Sequence, residues 1–114
     1  MASFVLLLLD APGASQACAS AYHFAQACMT QGHQLLGVFL YQDGVYLVQP
    51  ADIPSDEQNW QHAWQRLAER YHFAIHYCQH AAARRGIVTD SGEAAGLTQL
   101  MGQLPQADRV ICFG

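Results

Sequence analysis

Short apolar runs alternate with longer segments of helical periodicity along this chain. Phe4 to Leu9 is apolar at every position, which is typical of a strand that is covered on both faces. Further strands, rich in apolar residues, are predicted at Leu35 to Tyr41, Phe73 to Tyr77 and Arg109 to Phe113. Strands separated by helices predict an α/β fold with a mostly parallel sheet.

Two amphipathic helices are predicted between the first three strands. The first spans about residues 15 to 31 and ends at Gly32. The second is the clearest in the chain, because apolar side chains recur at spacings of three and four residues from Trp60 to Tyr71. Ser55 and Gln58, just before it, have the spacing of a capping box.

The remaining segments predict shorter elements. Residues 45 to 54 are interpreted as an irregular excursion that includes a short edge strand, after an Asp-Gly turn. Residues 79 to 85 predict a short helix closed by Gly86, and Glu93 to Leu104 predicts the last helix. A chain of 114 residues is long enough for one core and too short for two, so we expect a single domain over residues 1 to 114.

Composition argues against two classes of partner. The chain has five arginines, no lysine and a formal charge of −4, so we expect no direct binding of nucleic acid. No apolar run approaches the roughly 20 residues that a membrane helix needs. The first apolar run has no positive charge before it and is followed by Asp10, unlike a signal peptide. We therefore expect a soluble, cytoplasmic protein.

Four cysteines occur without a CxxC pair, and in a reducing cytosol they are expected to be free thiols. Cys18 and Cys28 lie in an alanine-rich helix and Cys112 in an apolar strand, where a thiol behaves as a small hydrophobic side chain. Cys78 differs, because it lies at the carboxyl end of a predicted strand and opens a helix. Ligands gather at such strand ends, and the peptide dipoles there favour a thiolate.

Other interpretations of this segment stay open. Cys78 can be a buried residue at the end of a strand, with Arg84 and Arg85 forming a solvated last helical turn. His76, Cys78 and His80 alternate, so they would share a face if the strand continued through them, as in a metal site. No fourth ligand is evident, and we expect no metal.

The segment after the first strand, "DAPGASQA" at residues 10 to 17, occupies the place where related α/β folds bind phosphate groups. It lacks both the Gly-x-Gly-x-x-Gly pattern and the P-loop pattern. We therefore predict no nucleotide cofactor and interpret this segment as an ordinary turn between a strand and a helix.

The segment "YCQHAAARRGIV", residues 77 to 88, resembles the Cys-x-x-Ala-Ala-x-Arg-Arg-Gly-[Ile/Val]-Val motif of the DsrE/TusD family of sulfur-relay proteins. Residues 20 to 46, 95 to 100 and 107 to 114 are also similar to segments of that family. The resemblance implies a flavodoxin-like, three-layer α/β domain with a mostly parallel sheet of four to five strands.

The resemblance also implies a function. Cys78 would act as a sulfurtransferase thiol that accepts a sulfane sulfur from a donor carrier protein, holds it as a persulfide and passes it to an acceptor carrier. The family forms a hetero-oligomer of related small subunits, and the sulfur serves tRNA 2-thiouridine synthesis or sulfur oxidation. It needs no cofactor. From their proximity, we expect Arg84 or Arg85 to support the persulfide anion.

Two points qualify this expectation. A non-catalytic assembly or binding subunit of the same fold, in which Cys78 never turns over, is the alternative function. In addition, the segment before Gly96 is shorter than the family pattern by roughly a dozen residues, a deletion of loop size. Because that segment lies near the active cysteine in the family, its loss is expected to change the exposure of Cys78, partner docking or assembly.

Overall fold

A sheet of five parallel strands forms the centre of the protein in a computed structural model that describes residues 1–49, 59–89 and 91–114. The strands are β1 (Ser3–Leu8), β2 (Gln34–Leu40), β3 (Ile75–Cys78), β4 (Glu93–Ala95) and β5 (Arg109–Phe113). The helices are α1 (Ala17–Thr30), α2 (Trp60–Tyr71), α3 (Gln79–Arg84) and α4 (Leu97–Gln103). Two 3₁₀ helices span Gln42–Val48 and Leu104–Gln106.

The strands lie in the order β4-β3-β2-β1-β5, and every pairing is parallel. This confirms the predicted three-layer α/β fold. The sheet has five strands, the higher of the two numbers expected. The order differs from the 2-1-3-4-5 order of flavodoxin itself, because β5 returns past the whole sheet to pair with β1. Because the crossover connections between parallel strands share the same handedness, α1, α2 and α3 lie on one face of the sheet and α4 lies on the other.

Strand β1 is buried on both faces, as its unbroken apolar run predicts. Leu6 and Leu8 belong to the larger core cluster, which includes residues of α1, α2 and α3. Val5 belongs to a smaller cluster on the second face, where Leu100 of α4 packs. One short helix covers that second face, so the core is thinner there.

The thin second face explains one wrong expectation. Cys112 is exposed and does not behave as a buried hydrophobic residue. It pairs in register with Leu7, and Val110, two residues before it, is 45% exposed. Both lie on β5, the edge strand beyond the reach of α4, and an edge strand without a covering helix leaves one face open.

Two predicted elements take a different form. Glu93–Ala95 is the strand β4 and not the start of a helix, because it pairs with β3 and completes the edge of the sheet. This tertiary pairing outweighs the local helical preference of Glu-Ala-Ala. Val45 to Val48 is part of a 3₁₀ helix and not a strand.

The proposed capping pair Ser55 and Gln58 lies outside the described residues. In the structure, α2 begins at Trp60, and the side chain of Asn59 caps it by accepting a hydrogen bond from the His62 amide.

The other element predictions agree with the structure to within two residues at most ends, including α1, β2, α2, α3 and β5. Over the described ranges, none of the helices combines the length and the apolar character needed to cross a membrane.

The turn that follows β2 packs directly against the end of β1. The amide of Tyr41 donates to the carbonyl of Leu8 at 3.1 Å, and the amide of Gly44 lies 3.2 Å from the carbonyl oxygen of Leu9. A Cβ atom on Gly44 would overlap the carbonyl group of Leu8, with its carbon only 2.8 Å away. Glycine is therefore needed at position 44 by close backbone approach.

We predict that Gly44→Ala lowers the free energy of unfolding by about 3 kcal/mol, since the new methyl group meets rigid backbone in a packed region. Gly102→Ala is the matched control. Gly102 lies in α4 with no atom within 4 Å of an added Cβ, so alanine should raise stability by roughly 0.5 to 1 kcal/mol. Urea unfolding of both variants measures the difference, and equal effects would contradict the close approach.

Candidate functional site

Cys78 lies where β3 ends and α3 begins. Its backbone is extended, and its Sγ accepts a hydrogen bond from the amide of Ala81 at 3.5 Å, so the thiol caps the short helix. The helix ends at Arg84, and Gly86 follows with a φ of 67°, a conformation that glycine adopts readily. The side chain of Cys78 is half-buried, between the core and the surface.

A cavity of about 420 Å³ lies beside Cys78. Its apolar wall consists of Leu7 and Leu9 from the end of β1 and Leu100 from α4. Its polar wall comes from the turn after β2 and from α3, and consists of Tyr41, Gln42, His80, Arg84 and Arg85. The thiol therefore faces a space that is larger than a single sulfur atom and is lined by potential hydrogen-bond donors.

The two arginines expected near Cys78 both line this cavity, but they are held differently. Arg85 is half-buried, with its Nε 2.9 Å from Asp43 Oδ1 and its Nη1 3.0 Å from the carbonyl oxygen of Ala81. It ties α3 to the turn after β2. Arg84 is exposed, and it forms no ion pair with any residue that the structure describes.

Tyr41 is a site residue that the sequence patterns do not single out. Leu40 pairs with Tyr77, so the next residues, Tyr41 and Cys78, leave neighbouring strands side by side. The Tyr41 hydroxyl is buried without a hydrogen-bond partner among the described residues. Burial raises the pKa of Tyr41, and the nearby charge of Cys78 raises it further. The available signal was its position at the carboxyl end of a predicted strand, Leu35 to Tyr41, as Cys78 lies at the carboxyl end of the next strand.

The histidines are not brought together around Cys78. His80 lines the cavity, whereas His76 stacks on Phe39 in the second core cluster, with ring centroids 4.7 Å apart. Its Nδ1 is 3.5 Å from Oε2 of Glu93, the residue that it pairs with on β4. No group of three potential metal ligands occurs in the parts of the chain that the structure describes.

The remaining thiols differ from Cys78 in accessibility. Burial raises the pKa of Cys18 to about 11, although a hydrogen bond with Trp64 opposes part of the shift. Burial also raises the pKa of Cys28. Both behave as the predicted small hydrophobic side chains. Cys112 is exposed on the sheet edge, so Cys78 and Cys112 are the two thiols that solvent reaches.

The turn after β1, at residues 10 to 17, is closed by its own hydrogen bonds. Ser15 Oγ donates to Asp10 Oδ2 at 2.8 Å and accepts from the amide of Ala17 at 3.1 Å. These contacts are typical of a polar turn at the start of a helix and support the interpretation of an ordinary connection.

The model of a family described as DsrE/DsrF-like matches residues 2–113. The chain belongs to the DsrE/DsrF-like family. The resemblance seen in the segment around Cys78 is thereby confirmed over nearly the whole chain.

Curated DsrE/DsrF-like relatives carry sulfurtransferase names. A "Sulfurtransferase TusD homolog" from Pasteurella multocida is 41% identical, over 82% of this chain and 85% of that protein. A "Putative sulfurtransferase DsrE" from Allochromatium vinosum is 38% identical, over 97% of this chain and 98% of that protein. That second alignment spans 131 positions and so exceeds the 114 residues of this chain, which means that the relative has residues this chain lacks.

A solved structure confirms the fold at the level of architecture. The ychN protein of E. coli superposes with a TM-score of 0.85, covering 99% of this chain and all of that chain, at 24% sequence identity. At this identity the comparison supports the DsrE/DsrF-like fold alone.

The buried histidine generates a prediction about pH. Burial lowers the pKa of His76 from its ordinary value of 6.5, and the Glu93 carboxylate opposes part of this shift. The unfolded chain therefore takes up this proton at a higher pH than the folded chain. The contribution of His76 to the free energy of unfolding is complete above pH 6.5 and is lost as pH falls through the folded pKa.

We predict that His76→Phe, which retains a ring against Phe39, loses less stability than the wild type between about pH 7.5 and about pH 5. The wild type, measured at the same two pH values, provides the control. Urea unfolding at the two pH values makes the comparison. A wild-type slope in His76→Phe would contradict the assignment.

Proposed function

We propose that the chain is a sulfur-relay protein, a sulfurtransferase that accepts a sulfane sulfur on Cys78 as a persulfide and passes it to an acceptor carrier. The observation that carries the proposal is the half-buried Cys78 thiol at the carboxyl end of a parallel strand, beside a cavity lined by donors. The sulfurtransferase names of the curated relatives support the same activity.

The proposed chemistry consists of two thiol exchanges that need no outside oxidant or reductant. The Cys78 thiolate attacks the outer sulfur of a donor persulfide; a new S–S bond forms on Cys78 while the donor S–S bond breaks, and the donor leaves as a thiolate. An acceptor thiolate then attacks the outer sulfur held by Cys78. The Cys78 thiolate is regenerated, and the sulfur has moved from donor to acceptor.

The two arginines take different roles in this proposal. Arg84, which is exposed beside the cavity, supplies a positive charge to the persulfide anion and to the approaching partner. Arg85 is engaged by Asp43 and by the Ala81 carbonyl, so it maintains the shape of the cavity. An arginine that is already paired adds less to a new anion than one that is free.

The partners proposed here are proteins. A donor and an acceptor sulfur carrier dock at Cys78, and related small subunits or further copies of the chain associate with it to form an oligomer. Exposed apolar side chains on β5 and α4, Val110 and Met101, support such association. We place the relay in the cytoplasm, where thiols stay reduced. The sulfur then serves tRNA thiolation or sulfur oxidation.

Sulfur loading tests the proposal directly. The protein is incubated with a cysteine desulfurase, cysteine and a small donor carrier, and its intact mass is measured. We expect the wild type to gain at least one sulfur mass that a reductant removes. Cys78→Ser should gain none, while Cys112→Ser, which removes the other accessible thiol, should load like the wild type.

A wild type that gains no sulfur from an active donor system would overturn the relay function. If Cys78→Ser also bound partner subunits as well as the wild type does, the alternative of an assembly subunit would replace it. If loading were lost in Cys112→Ser and retained in Cys78→Ser, the thiol that carries the sulfur would be Cys112 and the assignment to Cys78 would be wrong.

The arginines give a separate prediction. Arg84→Gln should slow sulfur loading by roughly threefold to tenfold, the effect of about 1 kcal/mol, without changing the melting temperature. Arg85→Gln should lower the melting temperature, because it removes the link between α3 and the turn after β2. Loading rates and thermal unfolding of both variants check this. Unchanged loading in both would remove the arginines from the site.

A further inference from the structure

We propose that the hydroxyl group of Tyr41 donates a hydrogen bond to the sulfur anion carried by Cys78, which makes Tyr41 a second residue of the sulfur-binding site. This inference rests on the proposed function, because it names a group that stabilises the anion of the relay thiol. It assigns a role to a side chain outside the Cys-x-x-Ala-Ala-x-Arg-Arg segment.

Strand register places the two side chains together. Residues Leu40 and Tyr77 are paired partners in parallel strands, and the chain continues from them to Tyr41 and Cys78. Both residues line the same cavity. The turn that carries Tyr41 is held against β1 by the amide of Tyr41 on the Leu8 carbonyl, so its position does not depend on a bound partner.

The hydroxyl of Tyr41 lacks the partner that a buried tyrosine hydroxyl usually has. Its oxygen is shielded from solvent and forms no hydrogen bond within the described part of the chain. A buried polar group left unpaired is costly, and tyrosine hydroxyls normally find an acceptor. A sulfur anion on the neighbouring Cys78 supplies that acceptor.

The charge state of Tyr41 suits this role. Burial and the adjacent Cys78 charge both raise the pKa of Tyr41, so its hydroxyl keeps its proton at neutral pH. A protonated hydroxyl is a donor, and a sulfur anion next to it stabilises that protonated form. The two groups therefore favour one arrangement, with the proton on the oxygen and the negative charge on the sulfur.

Among the described residues that line the cavity, Tyr41 is the one with a buried polar atom that lacks a partner. β1 and α4 contribute leucines, and Arg85 is engaged by Asp43. From α3, His80 and Arg84 are exposed, and Gln42 is exposed on the turn. The Ala81 amide is a donor to Sγ of Cys78 at 3.5 Å, and because a sulfur anion accepts more than one hydrogen bond, a second donor adds to it.

The experiment uses the full chain with Cys112→Ser, which leaves Cys78 as the accessible thiol. In this background Tyr41→Phe is compared with Tyr77→Phe, which removes the hydroxyl of a half-buried tyrosine next to Cys78 in sequence. Alkylation of Cys78 by iodoacetamide is followed against pH by intact mass. The lifetime of the loaded persulfide without an acceptor is followed in the same way.

We expect Tyr41→Phe to move the midpoint of Cys78 alkylation upward by roughly one pH unit and to shorten the persulfide lifetime, because one donor to the anion is lost. Tyr77→Phe should leave both unchanged. Equal midpoints and lifetimes in the two variants would overturn the role of Tyr41 while leaving the relay function in place. Alkylation needs no sulfur donor, so a failure of the wild type to load sulfur would overturn the relay function alone.

A second measurement tests the contact if Tyr41→Phe does not fold. The tyrosine rings are labelled with ¹³C, and their ionisation is followed by NMR in the wild type and in Cys78→Ser. Removal of the Cys78 charge should lower the pKa of one tyrosine. If no tyrosine changed its pKa, the proposed contact between the hydroxyl and the sulfur would be overturned.

Discussion

The close approach of the turn after β2 to the end of β1 is the constraint on which the site depends. Gly44 lies where any side chain would overlap the Leu8 carbonyl, and the amides of Tyr41 and Gly44 bond to the end of β1. This contact sets the position of Tyr41 over the cavity and presents Asp43 to Arg85. A backbone contact between two strand ends thus organises side chains from three elements around one thiol.

The order of the strands in the sheet makes the site around Cys78 accessible. β3 leads to α3 on the first face, whereas β4 leads to α4 on the second, so the chain diverges between the ends of these neighbouring strands. Cys78 lies at this point, paired with Ala95. Divergent connections leave a space beyond the carboxyl ends of the strands, and the cavity beside Cys78 is lined there by the ends of β1, β2 and β3 together with α3 and α4.

Sequence alone predicted what depends on local pattern. The buried strands follow from unbroken apolar runs, α2 follows from its periodicity, and the end of β3 at Cys78 follows from the helix that begins there. Features that depend on distant residues were missed. β4 exists because β3 offers it an edge, Cys112 is exposed because no helix covers that part of β5, and Tyr41 meets Cys78 through the register of two strands.

The ion pair between Arg85 and Asp43 has a consequence for solution conditions. The Asp43 side chain is 60% exposed, so dissolved ions reach the pair and weaken it as ionic strength rises. The hydrogen bonds of the turn to β1 are backbone contacts and are insensitive to salt. The link between α3 and the turn is therefore weakened by salt, whereas the attachment of the turn itself to β1 is left intact by salt.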